Sequence, residues 1–373
     1  MRAALVGVDF GKDDFAASIE ELSLLSRSAG AEPATTIIGK RASPDAALFV
    51  GSGNADEIAR AISDEQIDIV IFNHALSPAQ QRNLERHLKV RVVDRTSLIL
   101  DIFAQRAQSH EGKVQVELAQ LQHLATRLIR GWTHLERQKG GIGLRGPGET
   151  QLETDRRLLV DGVKALRAQL EKLHRQRATQ RRARGRNNTF SVSLVGYTNA
   201  GKSTLFNALA KTRVYAADQL FATLDTTSRR IYLAEAGNVV LSDTVGFIRE
   251  LPHQLVAAFR ATLEETIHAD LLLHVVDAAS PSRIEQVEQV NMVLKEIGAD
   301  QIPQIMVWNK IDAAGLAPAL ERDEYDKIRR VFTSARTGAG LDLLRLAVTE
   351  FAKMRSAARL DDTAHVAPDN AHV

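Results

Sequence analysis

The sequence predicts an α/β protein in which two α/β regions are joined by a helical hairpin. Short β-branched runs alternate with amphipathic segments at the start of the chain and again in its second half, which is typical of a largely parallel sheet with crossover helices. Between them, apolar residues recur at three- and four-residue steps, the period of one helix face. We expect an N-terminal α/β domain over 1–112, a hairpin and linker over 113–189, a second domain over 190–355, and a polar tail over 356–373.

The elements of the first region follow from its hydrophobic pattern. The predicted strands are AALVGVDF, TTIIGK, ALFVGSG, DIVIFN and VRVVDR, and the predicted helices are SIEELSLLSRSAG, NADEIARAI, PAQQRNLERHLK and TSLILDIFAQRA. The segment GSGNADEI at 51–58 hints at a second nucleotide site. However, Asp56 stands where the dinucleotide fingerprint has its third glycine, so a tight strand–helix turn is favoured.

The hairpin is predicted from two apolar stripes separated by the glycine-rich segment RQKGGIGLRGPGET at 137–150. Two long helices joined in this way pack antiparallel, and the glycine loop then projects from their end. The second helix runs into RQRATQRRARGRNN at 175–188, which we interpret as a basic linker. The stripes are Val114, Leu118, Leu121, Ala125 and Leu128, then Leu159, Val163, Leu166, Leu170 and Leu173.

Composition excludes several classes of protein. The chain has no cysteine, which excludes disulfides, thiolate zinc sites and cysteine nucleophiles, and its 11 histidines lack metal-ligand spacing. No apolar run is long enough for a membrane span, and the first residues lack the pattern of a signal peptide. We expect a cytoplasmic monomer without integral membrane contact, with peripheral association left open. The net charge of +2 means that a polyanionic partner must meet a local basic patch.

The stretch GYTNAGKST at 196–204 follows an apolar strand and precedes a helical start, which is the context that a phosphate-binding P-loop requires. Its glycines let backbone N–H groups surround phosphates. Lys202 can reach the β- and γ-phosphates, and the Ser203 hydroxyl can ligate Mg²⁺. The predicted phosphate-binding residues are Gly196, Tyr197, Thr198, Asn199, Ala200, Gly201, Lys202, Ser203 and Thr204.

Three further strand ends complete a nucleotide site. Asp243 of DTVG would hold the magnesium shell through water, and the Gly246 N–H can bond the γ-phosphate. Asp312 of NKID can accept hydrogen bonds from guanine N1–H and N2–H, which adenine lacks, so the site should favour guanine. Lys310 would lie over the base, Asn309 would brace the loop, and the Ala335 N–H of TSA would meet guanine O6. The additional binding residues are Thr244, Val245, Ile311, Ser334 and Arg336.

These four motifs in this order predict a P-loop G domain with a mostly parallel sheet. Between the first two lies LFATLDTT at 220–227, where a threonine would complete the Mg²⁺ shell. We select Thr223 over Thr226 and Thr227, with Lys202, Thr223 and Gly246 as the catalytic set; the ordinary alternative is a loop threonine. Phe221, Ala222, Leu224 and Asp225 complete the predicted binding segment.

Two positions of this site are unusual. Asn199 inside the P-loop resembles the arrangement in GTPases that bind potassium, and a loop asparagine making local bonds is the equal alternative. Phe247 follows DTVG, where a glutamine that orients water is common. Because phenylalanine cannot orient water, we expect slow intrinsic hydrolysis. Arg249, Glu250 and Arg260 are nearby candidates to supply the missing group, although solvated charges are the favoured interpretation.

The segment GGIGLRGPGETQLETDRR at 140–157, together with the domain order, FATLD and DTVGFI, resembles the HflX family of ribosome-associated GTPases. The resemblance implies binding to the large ribosomal subunit and its rRNA, and splitting or rescue of stalled ribosomes or subunit biogenesis. It also implies Mg²⁺ ligation by Ser203 and Thr223, a hydrophobic residue at Phe247, and some precedent for ATP use by the N-terminal region. Some members carry a further C-terminal domain, for which little chain remains after Phe351.

The residues support an RNA partner independently. From Arg156 to Arg186 there are eleven Lys and Arg against two acids, a density that can neutralise phosphates and gives steep salt dependence. Lys139 and Arg145 lie beside the glycines, whereas Trp132 is the sole large aromatic near them, which does not support stacking. The alternative is a solvated helix face plus a linker.

Three functions remain open at this point. The leading one is a ribosome-activated GTPase that hydrolyses GTP to GDP and phosphate. The second is a GTP-gated ribosome- or rRNA-binding module in which hydrolysis is incidental. The third is an ATP-dependent RNA remodeller, which Asp312 disfavours because its carboxylate suits guanine.

Overall fold

The computed structural model describes residues 1–11, 14–131, 147–186, 189–212, 219–249 and 263–364. It divides into two compact units. The N-terminal unit comprises Met1–Ala178 together with two later segments, Gln219–Leu224 and Arg249–Arg260. The C-terminal unit comprises Thr179–Asp218, Asp225–Ile248 and Ala261–Val373.

The N-terminal unit contains a four-stranded parallel sheet in the order β2-β1-β3-β4, as the alternation of strands and helices predicts. Three of its strands are mostly buried because crossover helices cover a parallel sheet, whereas the edge strand β2 is largely half-buried or exposed. The strands are β1 (Arg2–Asp9), β2 (Glu32–Lys40), β3 (Ile69–Phe72) and β4 (Arg91–Asp94), and the helices are α1 (Phe15–Ser28), α2 (Ser52–Glu65), α3 (Pro78–Leu88) and α4 (Arg95–Arg106).

The predicted strand ALFVGSG is wrong. Its first residues form a turn with an isolated antiparallel bridge between Asp45 and Phe49, and its last two residues already belong to α2. The Asp45 carboxylate accepts hydrogen bonds from the backbone N–H groups of Ala47 and Leu48, and Phe49 adopts a φ of 62°. An aspartate bonded to its own following backbone offers the chain an alternative to a strand ladder, and this local bonding outweighs the β-propensity of the segment.

The hairpin is confirmed, with α5 over His110–Gly131 and α6 over Pro147–Arg186. Val114 and Leu118 of α5 pack against Leu170 of α6, and Val163, Leu166 and Leu173 border this cluster. The predicted basic linker is wrong, because α6 continues through it to Arg186. Arginine and alanine are good helix formers, and they outweigh the single glycine at 185, which costs about 1 kcal/mol. The glycine-rich loop up to residue 146 lies outside the described residues.

The C-terminal unit is built on a seven-stranded sheet in the order β10-β11-β9-β8-β5-β7-β6. The inner strands are parallel, whereas β6 and β10 each pair antiparallel with a neighbour. The strands are β5 (Phe190–Gly196), β6 (Thr227–Leu233), β7 (Gly237–Asp243), β8 (Leu271–Asp277), β9 (Gln304–Asn309), β10 (Ala319–Arg322) and β11 (Ile328–Phe332), and the helices are α7 (Lys202–Ala210), α8 (Glu264–Ile267), α9 (Arg283–Ile297), α10 (Ile311–Ala314) and α11 (Leu341–Ala364).

Two details of this unit differ from prediction. The edge strand β10 was not predicted, because its residues are mostly exposed and show no alternation. Helix α11 continues to Ala364, so the first part of the predicted polar tail is helical, and residues 365–373 lie outside the described part. The domain boundaries themselves stay predictions. Among the described helices, none is both long and apolar enough to cross a bilayer.

Candidate nucleotide-binding site

The P-loop depends on glycine at two positions. Gly196 ends β5 with a φ of 150°, and a Cβ placed there would lie 2.2 Å from the Val275 carbonyl oxygen of β8. Gly201 has a φ of 91°, and its Cβ would lie 2.3 Å from the Asn309 amide nitrogen. Only glycine allows the backbone to pass so close to its neighbours. The loop therefore leads the backbone directly into the start of α7 at Lys202, and a helix start is where an anion binds readily.

Lys202 is buried at this helix start, and its Nζ donates to the carbonyl oxygens of Gly196 at 3.1 Å and Tyr197 at 2.8 Å. Burial lowers the pKa of Lys202 to about 8, and the nearby Asp243 carboxylate opposes this shift. An ammonium group held by two carbonyl oxygens keeps a third donor for a phosphate oxygen. The role of Lys202 in binding the β- and γ-phosphates stays a prediction.

Two predicted magnesium-shell residues are brought together. The Ser203 hydroxyl donates to the Asp243 carboxylate at 2.7 Å, and Asp243 is completely buried at the end of β7. The following Thr244 anchors this strand end through a 2.6 Å hydrogen bond to the Leu194 carbonyl oxygen. A hydroxyl and a carboxylate are hard oxygen donors, which is the donor chemistry that fits Mg²⁺ beside phosphates.

The segment after β7 lies directly against the P-loop. The Phe247 N–H donates to the Gly196 carbonyl at 3.1 Å, and the Thr198 N–H donates to the Phe247 carbonyl at 2.7 Å, which forms a parallel bridge. A Cβ on Gly246 would lie 2.9 Å from both Lys202 Nζ and Thr198 Cα, so glycine is needed here as well. The Phe247 side chain is buried, and its ring offers no donor or acceptor to a water molecule.

Asn309 joins three loops of the base-binding region. Its amide nitrogen donates to the Ala200 carbonyl of the P-loop at 2.9 Å, and its amide oxygen accepts from the Ala335 N–H at 2.9 Å. The side chain is buried, so both bonds are protected from water. The predicted bracing role agrees with this geometry. The Ala335 N–H, predicted to meet guanine O6, bonds to Asn309 in this structure.

The Asp312 carboxylate is already hydrogen-bonded. Ser334 Oγ donates to Oδ1 at 2.7 Å, and Arg336 Nη2 lies 2.5 Å from Oδ2. The Ser334 hydrogen bond, assisted by Arg336 and opposed by desolvation, lowers the pKa of Asp312, which stays ionised at neutral pH. Lys310 Nζ pairs with Asp277 at 2.8 Å. Sequence reasoning missed Asp277, although an acid that ends the apolar strand β8 at this edge was the available signal.

Comparison with known proteins identifies this arrangement. Residues 16–104, 106–184 and 191–310 match three family models, described as GTP-binding GTPase N-terminal, GTP-binding GTPase Middle Region, and 50S ribosome-binding GTPase. The GTPase HflX of Escherichia coli (strain K12) is 59% identical over 350 residues, covering 94% of this chain and 82% of that protein. This chain belongs to the HflX GTPase family. It is therefore a GTP-hydrolysing enzyme.

Other relatives agree. The GTPase HflX of Magnetococcus marinus is 52% identical over 327 residues, covering 87% of this chain and 76% of that protein. A crystal structure of SsGBP in complex with GDP matches with a TM-score of 0.51 at 27% identity, covering 95% of this chain and 100% of that chain. The HflX resemblance carried by the glycine-rich signature and the G-domain motifs is thus confirmed.

In this HflX GTPase, the predicted Thr223 segment belongs to the N-terminal unit. The Phe221 ring packs edge-on against Phe103 of α4 with centroids 4.6 Å apart, and the Leu220 N–H donates to Ser28 Oγ at 3.1 Å. Ala222, Thr223 and Asp225 are partly exposed, whereas Leu224 is buried. Mg²⁺ ligation by Thr223 stays a prediction, as does its preference over Thr226 and Thr227.

Arg249 also belongs to the N-terminal unit, and it is buried rather than solvated. Its guanidinium pairs with Asp14, and its carbonyl oxygen accepts from Arg95 Nη2 at 3.2 Å. Arg95 in turn pairs with Glu21 of α1. Sequence reasoning missed Asp14, Glu21 and Arg95, because charges on amphipathic segments are normally assigned to the solvated face. The other two candidates, Glu250 and Arg260, lie outside the described residues.

Proposed function

We propose that this GTPase binds the large ribosomal subunit and couples GTP hydrolysis to ribosome splitting or rescue, or to subunit biogenesis. The observation that carries the proposal is the match of residues 191–310 to a family model described as a 50S ribosome-binding GTPase. The basic stretch of α6 supports an RNA partner, since eleven Lys and Arg fall between residues 156 and 186. A cytoplasmic location and a monomeric state stay predictions.

The nucleotide site supports hydrolysis by positioning and electrostatics. The Lys202 ammonium would stabilise charge that develops on the β- and γ-phosphate oxygens as water attacks the γ-phosphorus. Ser203 and Asp243 would hold Mg²⁺, directly and through water, and the ion would neutralise charge on the same oxygens. The Gly246 N–H would hydrogen-bond a γ-phosphate oxygen. Asp312 would select guanine through two accepted hydrogen bonds.

Hydrolysis by the isolated protein should be slow. The buried Phe247 ring leaves its position without a group to orient the attacking water. Arg249 is engaged with Asp14 in the N-terminal unit, so it does not project into solvent as a free charge. The ribosome would supply, or induce, the group that completes the site.

A route for coupling follows from the unit boundaries. The segment Gln219–Leu224 and Arg249 follow the P-loop and DTVG motifs in sequence, yet their contacts place them in the N-terminal unit. Ser28, Phe103 and Asp14 provide those contacts. A change of phosphate state that moves these segments would therefore act on the N-terminal unit.

The decisive experiment measures GTP turnover with and without purified large ribosomal subunits at two salt concentrations. We expect slow turnover alone, strong stimulation by large subunits, and loss of stimulation at high salt because phosphate contacts are screened. Lys202→Ala serves as the inactive control. Rapid turnover that large subunits leave unchanged contradicts the proposal.

The segment Gln219–Leu224 and Arg249 belong to the N-terminal unit, and this also favours the second candidate, a GTP-gated binding module. Ribosome splitting with a non-hydrolysable GTP analogue separates the two. If the protein completes one round of splitting without hydrolysis, and is then released from the ribosome for another round, the GTP-gated binding module is the correct function. An ATP-dependent remodeller requires ATP to displace labelled GTP at similar concentration, which the Asp312 arrangement opposes.

We also propose that Asn199 ligates K⁺ beside the phosphates. Asn199 adopts a φ of 59° inside the P-loop, a conformation that asparagine tolerates better than most residues. The alternative is that the side chain makes only local loop bonds. Turnover measured in potassium and in sodium at equal ionic strength decides between them, and equal rates rule out the K⁺ site.

A further inference from the structure

The Asp312 carboxylate, which would bind the guanine edge, pairs with Arg336 of the loop that follows β11. Arg336 Nη2 lies 2.5 Å from Asp312 Oδ2, while Oδ1 accepts from Ser334 Oγ. The Asp312 side chain is mostly buried at 18% exposure, whereas the Arg336 side chain is 79% exposed. The exposed Arg336 guanidinium thus engages the second oxygen of the carboxylate.

The guanidinium and the guanine edge present the same chemistry to a carboxylate. Arginine offers parallel N–H donors in one plane, and guanine offers N1–H and N2–H in one plane. With Oδ1 shared by Ser334, the Oδ2 oxygen is the position that both donors need. Base and side chain therefore compete for one acceptor.

Of the two ion pairs described here, the one made by Arg336 involves the Asp312 carboxylate and the neighbouring one does not. Lys310 pairs with Asp277 at 2.8 Å, but Asp277 is not an acceptor for guanine, so that pair leaves the base-reading carboxylate untouched. In the loop that follows β11, Ser334 and Arg336 together complete the bonding of Asp312. Ser334 and Arg336 thus provide one partner to each oxygen of the Asp312 carboxylate.

We propose that Arg336 competes with guanine for the Asp312 carboxylate. When nucleotide is absent, Arg336 takes the place of the guanine edge on Asp312, and this slows the association of nucleotide. The empty pocket is then a mixture of closed and open forms, and only the open form binds guanine. The apparent association rate falls by the open fraction, whereas the dissociation rate stays the same to first order. An exposed ion pair of this kind is weak, so the effect is about two- to five-fold.

The test follows binding of a fluorescent ribose-labelled GDP by stopped flow, with the full chain. Arg336→Gln removes the charge and the two-donor fork, and we expect its association rate to rise about two- to five-fold with little change in dissociation. Arg336→Lys keeps the charge without the fork and should lie between. Arg329→Gln is the matched control, because it removes one exposed positive charge from β11 and leaves Asp312 untouched.

Salt provides a second readout. High ionic strength screens the exposed ion pair, so the rate ratio of Arg336→Gln to the native protein should fall towards one. An association rate for Arg336→Gln that matches Arg329→Gln overturns the proposal. Faster dissociation from Arg336→Gln also overturns it, because Arg336 would then hold the bound base rather than compete with it.

Discussion

At Gly196 there is no room for a side chain, which makes this residue a sharp test of the P-loop geometry. Gly196→Ala would bring a methyl group 2.2 Å from the Val275 carbonyl oxygen, and neither backbone can yield without breaking the sheet. We expect a loss of more than about 3 kcal/mol in the free energy of unfolding, and loss of GDP binding. Fluorescence of Trp308 reports the transition in a Trp132→Phe background.

Gly298→Ala is the control for this prediction. Gly298 has a φ of 77° but meets nothing within 4 Å, so the substitution adds only conformational strain of about 1–2 kcal/mol. Equal destabilisation by the two substitutions would show that the contact with Val275 is unimportant.

Asp312 gives a second prediction, on base selectivity. Asp312→Asn removes an acceptor for guanine N1–H and N2–H, and we expect GDP affinity to fall by about 10- to 100-fold. Xanthosine diphosphate carries a carbonyl in place of the 2-amino group, so the new amide can pair with it. Competition binding against labelled nucleotide measures both. Retained preference for GDP over xanthosine diphosphate would contradict the assigned role of Asp312.

The positions of the motif residues could be predicted at the residue level, because each is assigned a task that few residue types can perform. Gly196, Lys202 and Ser203 follow from backbone approach, charge and oxygen chemistry. The pairs of Asp277 with Lys310 and of Asp312 with Arg336 could not be predicted. The acid that ends β8 signals a polar residue at this edge, but which side chain pairs with it depends on how two loops from different strands meet, and local sequence does not show that.

At the scale of elements, the hairpin depends on the apolar contact between α5 and α6. Leu170 is buried against Val114 and Leu118, so Leu170→Ala should cost about 2–4 kcal/mol and weaken the pairing of the helices. Amide hydrogen exchange along α5, followed by mass spectrometry, should show reduced protection. Leu158→Ala on the same helix is the control, because Leu158 is 63% exposed and should change stability by less than about 0.5 kcal/mol. Similar exchange in both variants would contradict this packing.

The elements that prediction missed have different causes. The Asp45 turn replaces a strand because a side chain bonds the local backbone. The basic stretch after residue 175 is helical because helix propensity prevails where charge suggested a linker. Strand β10 forms through pairing with β11, and its own residues show no strand pattern. Hydrophobic periodicity therefore identified the strongly periodic elements, and it failed where a backbone bond, helix propensity or a partner strand decided the outcome.

At the scale of the whole molecule, the sequence predicts the order of the domains. It does not predict which segments of the chain belong to each compact unit. The segment Gln219–Leu224 and Arg249 lie in sequence between G-domain motifs, yet they belong to the N-terminal unit. Contacts such as Leu220 to Ser28 span 192 positions, and no window of sequence can show them. The proposed coupling between nucleotide state and the N-terminal unit rests on this long-range membership.

The acid stability of the C-terminal unit provides the last prediction. His274 lies on the central strand β8 and is almost completely buried. Burial lowers the pKa of His274 to about 4, the Gln304 side chain opposes this shift, and the Lys202 charge adds to it. Between pH 6.5 and 4 the unfolded chain therefore binds a proton that the folded unit excludes. The stability contributed by neutral His274 is complete above the unfolded pKa, and it is lost as pH falls through this window.

The expected slope is about 1.4 kcal/mol of unfolding free energy per pH unit from this one group. Carboxylates with lowered pKa, such as Asp312, lose stability in acid with the same sign, so the comparison must isolate the histidine. His274→Gln removes the titrating ring and should give a shallower dependence between pH 6.5 and 4.5. Urea unfolding followed by Trp308 fluorescence, in the Trp132→Phe background, measures both proteins. Parallel pH curves would show that His274 does not limit acid stability, because the native strand would then accommodate the protonated ring.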